Sequence, residues 1–471
     1  VKNRNDLVVI GGGAGGLVVA SVAAQLGLRV ALVEKSPRLG GDCLHSGCVP
    51  SKTLLHTAKV ASLMRRGAEF GLDALSPRVN MGRISDHVHA VIDHIQRHDD
   101  PERFRAYGCD VLFGPALFTD PYTVQVNGRP LHGRRFVIAT GSRPAVPPIP
   151  GLDAVAYLTN ESVFDLRDLP RRLVVLGGGP IGVELAQAFS RLGSAVCLVE
   201  RLAELLPHED PEISILLRQQ LASEGVRILT STTVQRVYMR GQEIHVECDG
   251  GNSLQADKLL VATGRKPGVD DLGLEAAGVE YDARGVKVDS RLRTSQKHIF
   301  ACGDVCGPYQ FTHMAEYQAG IVISNAVFRF PKRINYRVVP RVTYTDPELA
   351  HVGLTAQEAT AQGIKTELLS FPFSGIDRAV AEVEPYGLSK FVTRKGRLLG
   401  ATILGPHAGE LIHELALGMQ TGATLHDLSA TIHAYPTLAQ IHRRTANSGL
   451  SGRLFSRGTR RLVKWMNRLV P

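Results

Sequence analysis

The chain has 471 residues, about three ordinary domains at ~150 residues each, with 44% hydrophobic residues, 21% charged residues and 48 glycines. That apolar fraction excludes a disordered chain, the lack of a glycine period excludes a collagen-like one, and no window approaches the ~18 unbroken apolar residues of a membrane span. Seven cysteines make no disulfide scaffold. The first glycine motif, starting at Gly11, leaves no room for a secretory signal, so a cytoplasmic setting is expected. A net charge of +9 would ordinarily point to nucleic acid or an anionic membrane. Eight cations and no acid lie between Ser429 and the terminus, so the charge belongs to that segment. The body is nearly neutral, and no nucleic-acid surface is expected.

In chain order, Leu7–Ile10 reads as a short strand, Gly11-x-Gly13-x-x-Gly16 as a turn into a helix reaching Leu26, and Arg29–Val33 as a strand ending in Glu34. The first glycine permits the tight turn, the second lets backbone approach a pyrophosphate, and the third lets helix pack on strand. The helix N-terminus attracts phosphate, and the carboxylate accepts from ribose hydroxyls. Gly41-Asp42-Cys43-Leu44-His45-Ser46-Gly47-Cys48 comes next. Two cysteines five positions apart can close a short disulfide loop, stay two thiols or form half a metal site. No Cys or His pair at ligand spacing follows, which argues against zinc, and no metal site is expected. Pro50 suits a first helical turn, and apolar residues at 54, 55, 58 and 61 predict a helix over Ser51–Arg66. A thiol near that N-terminus and close to Lys52 should have a lowered pKa.

Further on, Leu173–Leu176, Gly177-x-Gly179-x-x-Gly182, a helix and Val196–Val199 ending in Glu200 repeat the first unit. First glycine to glutamate is 23 positions in both copies. One such fingerprint is weak, but two with matched context are strong. Phe136–Pro144 (FVIATGSRP) and Leu259–Pro267 (LLVATGRKP) form a second duplication, and Pro144–Pro150 reads as a linker between the halves. The chain is expected to hold two different nucleotides.

The cysteine segment after the first fingerprint resembles the pyridine nucleotide-disulfide oxidoreductases, flavoenzymes that include dihydrolipoamide dehydrogenase, glutathione reductase and mercuric reductase. Ala301-Cys302-Gly303-Asp304-Val305 is similar to the family's second flavin motif, and Arg341–Glu348 to the start of its dimerisation domain. The resemblance implies an α/β fold with two Rossmann-like dinucleotide-binding domains, for FAD and NAD, plus an α+β C-terminal dimerisation domain. The expected boundaries are 1–145 and 269–335 for the FAD-binding parts, 146–268 for NAD, 336–450 for the dimerisation domain and 451–471 for a basic tail. FAD would be held by Gly11, Gly13, Ala14, Gly16 and Glu34, with Lys52, Ala116, Thr140, Gly141, Asp304 and Ala315. NAD would be held by Gly177, Gly179, Ile181 and Gly182, with Glu184, Glu200, Val234 and Gly264.

By the same resemblance Cys48 faces the flavin, Cys43 exchanges with substrate, and Lys52 pairs with Glu184 beside flavin N5. Two electrons then pass between NAD(H), FAD, the Cys43–Cys48 disulfide and a dithiol or disulfide substrate. Glu200 favours NAD over NADP, while Arg201 beside it works the other way. Cys302 and Cys306 read as structural, and Cys109, Cys197 and Cys248 as core.

The chain departs from the pattern near its C-terminus. Where dithiol-handling members have His-Pro-Thr-x-x-Glu reaching across the dimer, this chain has Tyr435-Pro436-Thr437-Leu438-Ala439-Gln440. Tyr435 takes the place of the catalytic His and Gln440 that of its Glu. His433 matches a further histidine that is not the base. A phenol with pKa near ~10 and no orienting carboxylate is a poor base. The tyrosine also resembles mercuric reductases, yet their C-terminal cysteine pair is missing, the last cysteine being Cys306. His45, between the two thiols, is an additional candidate base.

From Arg453 to Val470 a helix is predicted with cations on one face and Leu454, Phe455, Leu462, Trp465, Met466 and Leu469 on another. It is expected to pack on the body or dock a partner, with an anionic membrane as the alternative. The expected function is that of a homodimeric, dihydrolipoamide dehydrogenase-like enzyme whose substrate is a small dithiol or disulfide, or a lipoyl-bearing carrier protein. A mercuric-reductase-like enzyme acting on a metal ion or small electrophile is the alternative, and a low-turnover flavin redox sensor or docked scaffold is a third reading.

Overall fold

The computed structural model describes residues 4–469, the side chain of Arg453 excepted. Strand β1 (Leu7–Ile10) is wholly buried and leads through the glycine turn into helix α1 (Ala14–Gln25). β2 (Val30–Glu34) pairs parallel to β1, with Leu7 opposite Val30 and Ile10 opposite Val33. Helix α2 (Cys48–Arg65) begins earlier than the expected Ser51: Gly47 occupies the N-cap position, and Pro50 falls within the first turn, where its missing N–H costs nothing. β3 (Cys109–Phe113) and β4 (Phe136–Ile138) extend the sheet, and β5 (Ser142–Pro144) leaves it.

The pattern then repeats. β6 (Arg172–Leu176), α3 (Pro180–Leu192) and β7 (Ala195–Val199) form the second unit, with Arg172 opposite Ala195 in parallel register. β8 (Arg227–Leu229) and β9 (Lys258–Val261) complete its sheet in the order β8-β7-β6-β9. β10 (Arg265–Pro267) pairs antiparallel with β5, placing Arg265 opposite Pro144. Of the expected linker only Pro144 belongs to that ribbon, as the last residue of β5, and 145–150 is irregular. β11 (Ile299–Ala301) returns to the first sheet beside β4, giving the order β11-β4-β1-β2-β3. Helix α4 (Thr312–Val322) packs against α1. Both sheets are parallel and covered, so their strands are near-continuous apolar runs rather than alternating ones.

The C-terminal part is an antiparallel sheet of β12 (Pro340–Thr343), β13 (Glu348–Gly353), β14 (Glu367–Pro372), β15 (Leu388–Arg394) and β16 (Arg397–Gly405), in the order β12-β13-β16-β15-β14. Helices α5 (Ala408–Thr421) and α6 (Gln440–Leu454) pack on it. The fold is the expected α/β arrangement of two Rossmann-like units and an α+β C-terminal part. An ion cluster centred on the buried Arg191 ties the third part to the second. Arg191 of α3 has Nη1 2.7 Å from Asp346 Oδ2 and Nε 2.7 Å from Glu224 Oε2, and Lys59 Nζ lies 3.2 Å from Asp346 Oδ1.

The single basic helix expected from 453 is broken in the structure. α6 runs to Leu454, across the expected 450/451 boundary, and α7 (Arg457–Leu469) starts afresh. The cause is local: Ser456 Oγ accepts from Thr459 N at 3.2 Å and caps a new helix. Gly458 therefore lies in a first turn rather than in a helix interior. Val470 and the Arg453 side chain lie outside the described residues. No residue of α7 is buried, so of the arrangements expected for it, packing on the body of its own protomer is not the one adopted. No helix among the described residues is long and apolar enough to cross a membrane.

Candidate active site

The two fingerprints fold into superposable devices. A Cβ at Gly11 would collide with the Ala139 carbonyl, and one at Gly177 with the Ala262 carbonyl; both glycines also have positive φ, 111° and 107°. Cβ atoms at Gly16 and Gly182 would strike the carbonyls of Gly11 and Gly177, so only glycine brings helix and strand this close. Glu34 accepts from Gly12 N at 2.6 Å and Ser36 N at 2.7 Å, and Glu200 accepts from Gly178 N at 2.6 Å and Leu202 N at 2.7 Å. Each carboxylate thereby holds its glycine turn rigid at the mouth of a helix N-terminus. Neither α1 nor α3 has a side chain on its first N–H groups, which is the arrangement a pyrophosphate needs.

Both devices open onto one cleft of about 2220 Å³, larger than the ~300–1,000 Å³ of a common small-molecule site. Gly13, Ala14, Glu34, Ala116, Thr140, Gly141, Asp304 and Ala315 line one half, and Gly179, Ile181, Glu200, Val234 and Gly264 the other. Of the glycines expected to bind nucleotide, Gly16 and Gly182 do not face the cleft; they serve the helix–strand packing. The donor set fits FAD and a nicotinamide nucleotide: two unblocked helix N-termini, two carboxylates lining the cleft beside them and a cleft roomy enough for both.

Where the halves meet lie the thiols. Cys43 and Cys48 are both unbridged, with Cys48 at the first position of α2. Cys48 Sγ is 3.4 Å from Thr312 Oγ1. The Cys48 thiol is brought down to about 6 by hydrogen bonding from Cys43, with the Thr312 hydroxyl and Lys52 helping against burial and Asp42. The same hydrogen bond, with burial, pushes Cys43 up. The pair is therefore asymmetric: Cys48 carries the thiolate and Cys43 the proton. One turn along α2, Lys52 Nζ is 3.0 Å from Glu184 Oε2 and 4.3 Å above the Tyr344 ring. Glu184 Oε1 accepts from Tyr344 N at 2.8 Å, so α2, α3 and the start of the C-terminal part converge on one ion pair.

A second network fixes the cleft floor. Ser142 Oγ donates to Asp304 Oδ2 at 2.6 Å, and Arg265 Nε donates to Ser142 Oγ at 2.7 Å. Arg265 also pairs with Asp42 Oδ2 at 3.1 Å, and Asn160 Nδ2 donates to Asp42 Oδ1 at 3.1 Å. Burial raises the Asp304 carboxyl against these donors. Thr140 Oγ1 donates to Gly268 O at 2.6 Å, joining the first duplicated segment to the residue just after the second. His45 lines the cleft with its Nε2 held by the Leu39 carbonyl at 2.8 Å.

Comparison with known proteins is decisive at this point. The model for "Pyridine nucleotide-disulphide oxidoreductase" matches residues 5–319, and that for its dimerisation domain matches residues 339–445. The chain belongs to the pyridine nucleotide-disulphide oxidoreductase family. A mercuric reductase from Staphylococcus aureus is 37% identical over 414 residues, covering 87% of this chain and 76% of that one. A dihydrolipoyl dehydrogenase from Thermus scotoductus is 38% identical over 456 residues, covering 92% and 95%. Among solved structures, the HOCl-induced flavoprotein disulfide reductase RclA from Escherichia coli matches with a TM-score of 0.86 at 29% identity, covering 94% and 99%. This oxidoreductase thus uses FAD and a pyridine nucleotide, and its dimerisation domain supports a homodimer.

Tyr435 and Gln440 do not line the cleft of their own protomer. The expectation that Tyr435 lacks an orienting carboxylate is corrected: its hydroxyl donates to Asp377 Oδ2 at 3.0 Å. Gln440 Nε2 instead donates to Ala434 O at 3.4 Å. His433 Nε2 is 3.0 Å from Glu414 Oε1. Sequence reasoning missed Asp377, Tyr344, Thr312, Asn160 and Arg265. Arg265 had a signal, since it sits in the duplicated Ala-Thr-Gly segment, and so had Tyr344, which lies in the Arg341–Glu348 motif, whereas Asp377, Thr312 and Asn160 sit in no motif.

Of the cysteines read as structural or core, Cys109, Cys248 and Cys302 are buried, while Cys197 and Cys306 are half-buried.

Proposed function

We propose that this oxidoreductase is dihydrolipoamide dehydrogenase-like, relaying two electrons between NAD(H), FAD, the Cys43–Cys48 pair and a dithiol or disulfide such as a lipoyl group. The carrying observation is the asymmetric thiol pair, with Cys48 at a helix N-terminus beside Lys52–Glu184 where the two nucleotide-binding halves meet. Bound FAD supplies the two-electron link between that pair and the nicotinamide. The chain's own part is the thiol chemistry. One substrate thiolate attacks Cys43 of the oxidised pair and displaces Cys48 as thiolate. The second substrate thiol then attacks the first sulfur, closing the substrate disulfide and displacing Cys43, which takes up the proton that the attacking thiol gives up. The leaving group is the sulfur with the lowered pKa, as exchange favours. Glu200 would favour NAD by accepting from the ribose 2′-hydroxyl and repelling a 2′-phosphate.

A second reading is supported by Tyr435 in place of the family His. An enzyme acting on a metal ion needs two sulfurs and no base for a substrate thiol, and relatives named mercuric reductase are 36–37% identical. The Escherichia coli disulfide reductase has also been solved as a Cu(II) complex.

Anaerobic titration with NADH tests the common core. A thiolate-to-flavin charge-transfer band is expected in the wild type and absent in Cys48→Ser; a wild type without the band removes the catalytic assignment of the pair. Steady-state NADH oxidation with lipoamide and with Hg(II) or Cu(II) then separates the two readings. Normal turnover with either acceptor in Cys43→Ser would overturn both. A live band with no turnover on any acceptor leaves the low-turnover redox sensor.

A further inference from the structure

Helix α7 carries Arg457, Arg460, Arg461, Lys464 and Arg468 and no acidic residue. At helical spacing the five cations fall within an arc of about 100°, and Leu462, Val463, Trp465, Met466 and Leu469 occupy the opposite arc of about 160°. Neither side is covered by its own protomer: Leu462 is 53% exposed, Trp465 60% and Leu469 61%. Leu454 and Phe455, just before the break, are equally open and lengthen the apolar strip. A 13-residue helix is about 20 Å long, too short and too charged to cross a hydrocarbon core of ~30 Å.

Placement of the charges identifies the occupant. A groove on a protein partner would take the apolar side and leave the opposite cations in water, where they add nothing to recognition. A second copy of the helix would set five cations beside five more. The headgroup layer of a bilayer immerses both sides at once. Apolar residues reach the acyl boundary while arginine and lysine stems bend toward lipid phosphates, and a tryptophan is favoured at that depth. We propose that α7 is an in-plane anchor that docks the enzyme on a membrane surface rich in anionic phospholipid. The inference is independent of the thiol chemistry. In a homodimer two such helices act together, so modest affinity per helix suffices for firm attachment.

Trp465 is the only tryptophan of the chain and reports directly on its own environment. The flavin-loaded enzyme is mixed with phosphatidylserine-rich or pure phosphatidylcholine vesicles, and Trp465 emission and co-sedimentation are followed. The expected result is a shift to shorter wavelength with binding at least about tenfold tighter to the anionic vesicles, reversed by high salt. Combined Arg460→Glu, Arg461→Glu and Lys464→Glu should lose that binding at unchanged NADH turnover, and Leu462→Ser with Met466→Ser should lose the emission shift. Equal binding to both lipids, or no shift with either, would overturn the proposal. So would an emission already at short wavelength in the free dimer and unmoved by vesicles, since that means protein covers the helix. Because vesicle binding needs neither Cys43 nor Cys48, failure of the thiol relay and failure of the anchor are separately visible.

Discussion

The Tyr435 hydroxyl donates to Asp377 Oδ2 at 3.0 Å, across 58 positions of chain. Asp377 belongs to a segment remote from Gln440, the position at which the sequence resemblance expects the carboxylate that orients a catalytic imidazole. Hydrogen bonding to Asp377 and its negative charge raise the phenol pKa further, so the tyrosine stays protonated at neutral pH and offers a hydroxyl, not a base.

Restoring the imidazole should therefore restore proton transfer. Tyr435→His combined with Gln440→Glu is expected to raise kcat for dihydrolipoamide oxidation about 100-fold or more, while anaerobic flavin reduction by NADH is unchanged. Stopped-flow separation of the two half-reactions checks this. No gain in the dithiol half-reaction would mean that Tyr435 is not the limiting substitution.

In the reduced enzyme Cys48 should be thiolate above about pH 6 and thiol below it. Iodoacetamide labelling of Cys48, followed by mass spectrometry, is expected to accelerate through that pH. Cys43→Ala removes the largest lowering influence and moves the midpoint up, and Lys52→Met moves it by less. Folding lowers this pKa from an ordinary ~8.5, so the thiolate adds stability that is complete above ~8.5 and lost as pH falls through about 6.

Arg191→Met leaves the half-buried Glu224 and Asp346 without their shared guanidinium, though Lys59 still pairs with Asp346. A loss of about 1–3 kcal/mol is expected, read as a lower Tm by calorimetry. Burial alone would raise the Asp346 carboxyl, but Arg191 and Lys59 hold it below the usual range. Its contribution is present above ~4 and disappears as pH falls through the lowered native value. The Tm gap between variant and wild type should accordingly narrow in acid.

Glu200 holds Gly178 N and faces the second half of the cleft. Glu200→Ala should raise KM for NADH about tenfold and narrow discrimination against NADPH, while Arg201→Ala should weaken NADPH alone. Steady-state KM values with both coenzymes measure the effect, and an unchanged NADH to NADPH ratio in Glu200→Ala would show that this carboxylate does not read the ribose.

What the sequence revealed is what backbone geometry dictates. Gly11 and Gly177 must be glycine because a carbonyl occupies the space of a Cβ, and Glu34 and Glu200 must stand at one spacing because each bonds the turn it guards. The reactive loop was legible because two thiols near a helix start have few structural uses. Asp377 and Thr312 were invisible because their roles arise from packing between segments remote in sequence, and Tyr344 lay in a quoted motif that gave no sign of its contact with Lys52. The break in the tail was missed because one hydrogen bond, Ser456 to Thr459, outweighed an unbroken amphipathic period.

The return of β11 to the first sheet has a consequence for biosynthesis. β4 awaits its neighbour until the whole second unit has been translated, whereas β6 to β9 form an uninterrupted stretch of chain. The internal unit can therefore close on the ribosome first, while β4 presents an unpaired edge for a time on the order of ten seconds at ~5–20 residues per second. A nascent chain stalled before Ile299 would keep that edge open, which makes the flavin half the part most dependent on chaperones or on early capture of its cofactor.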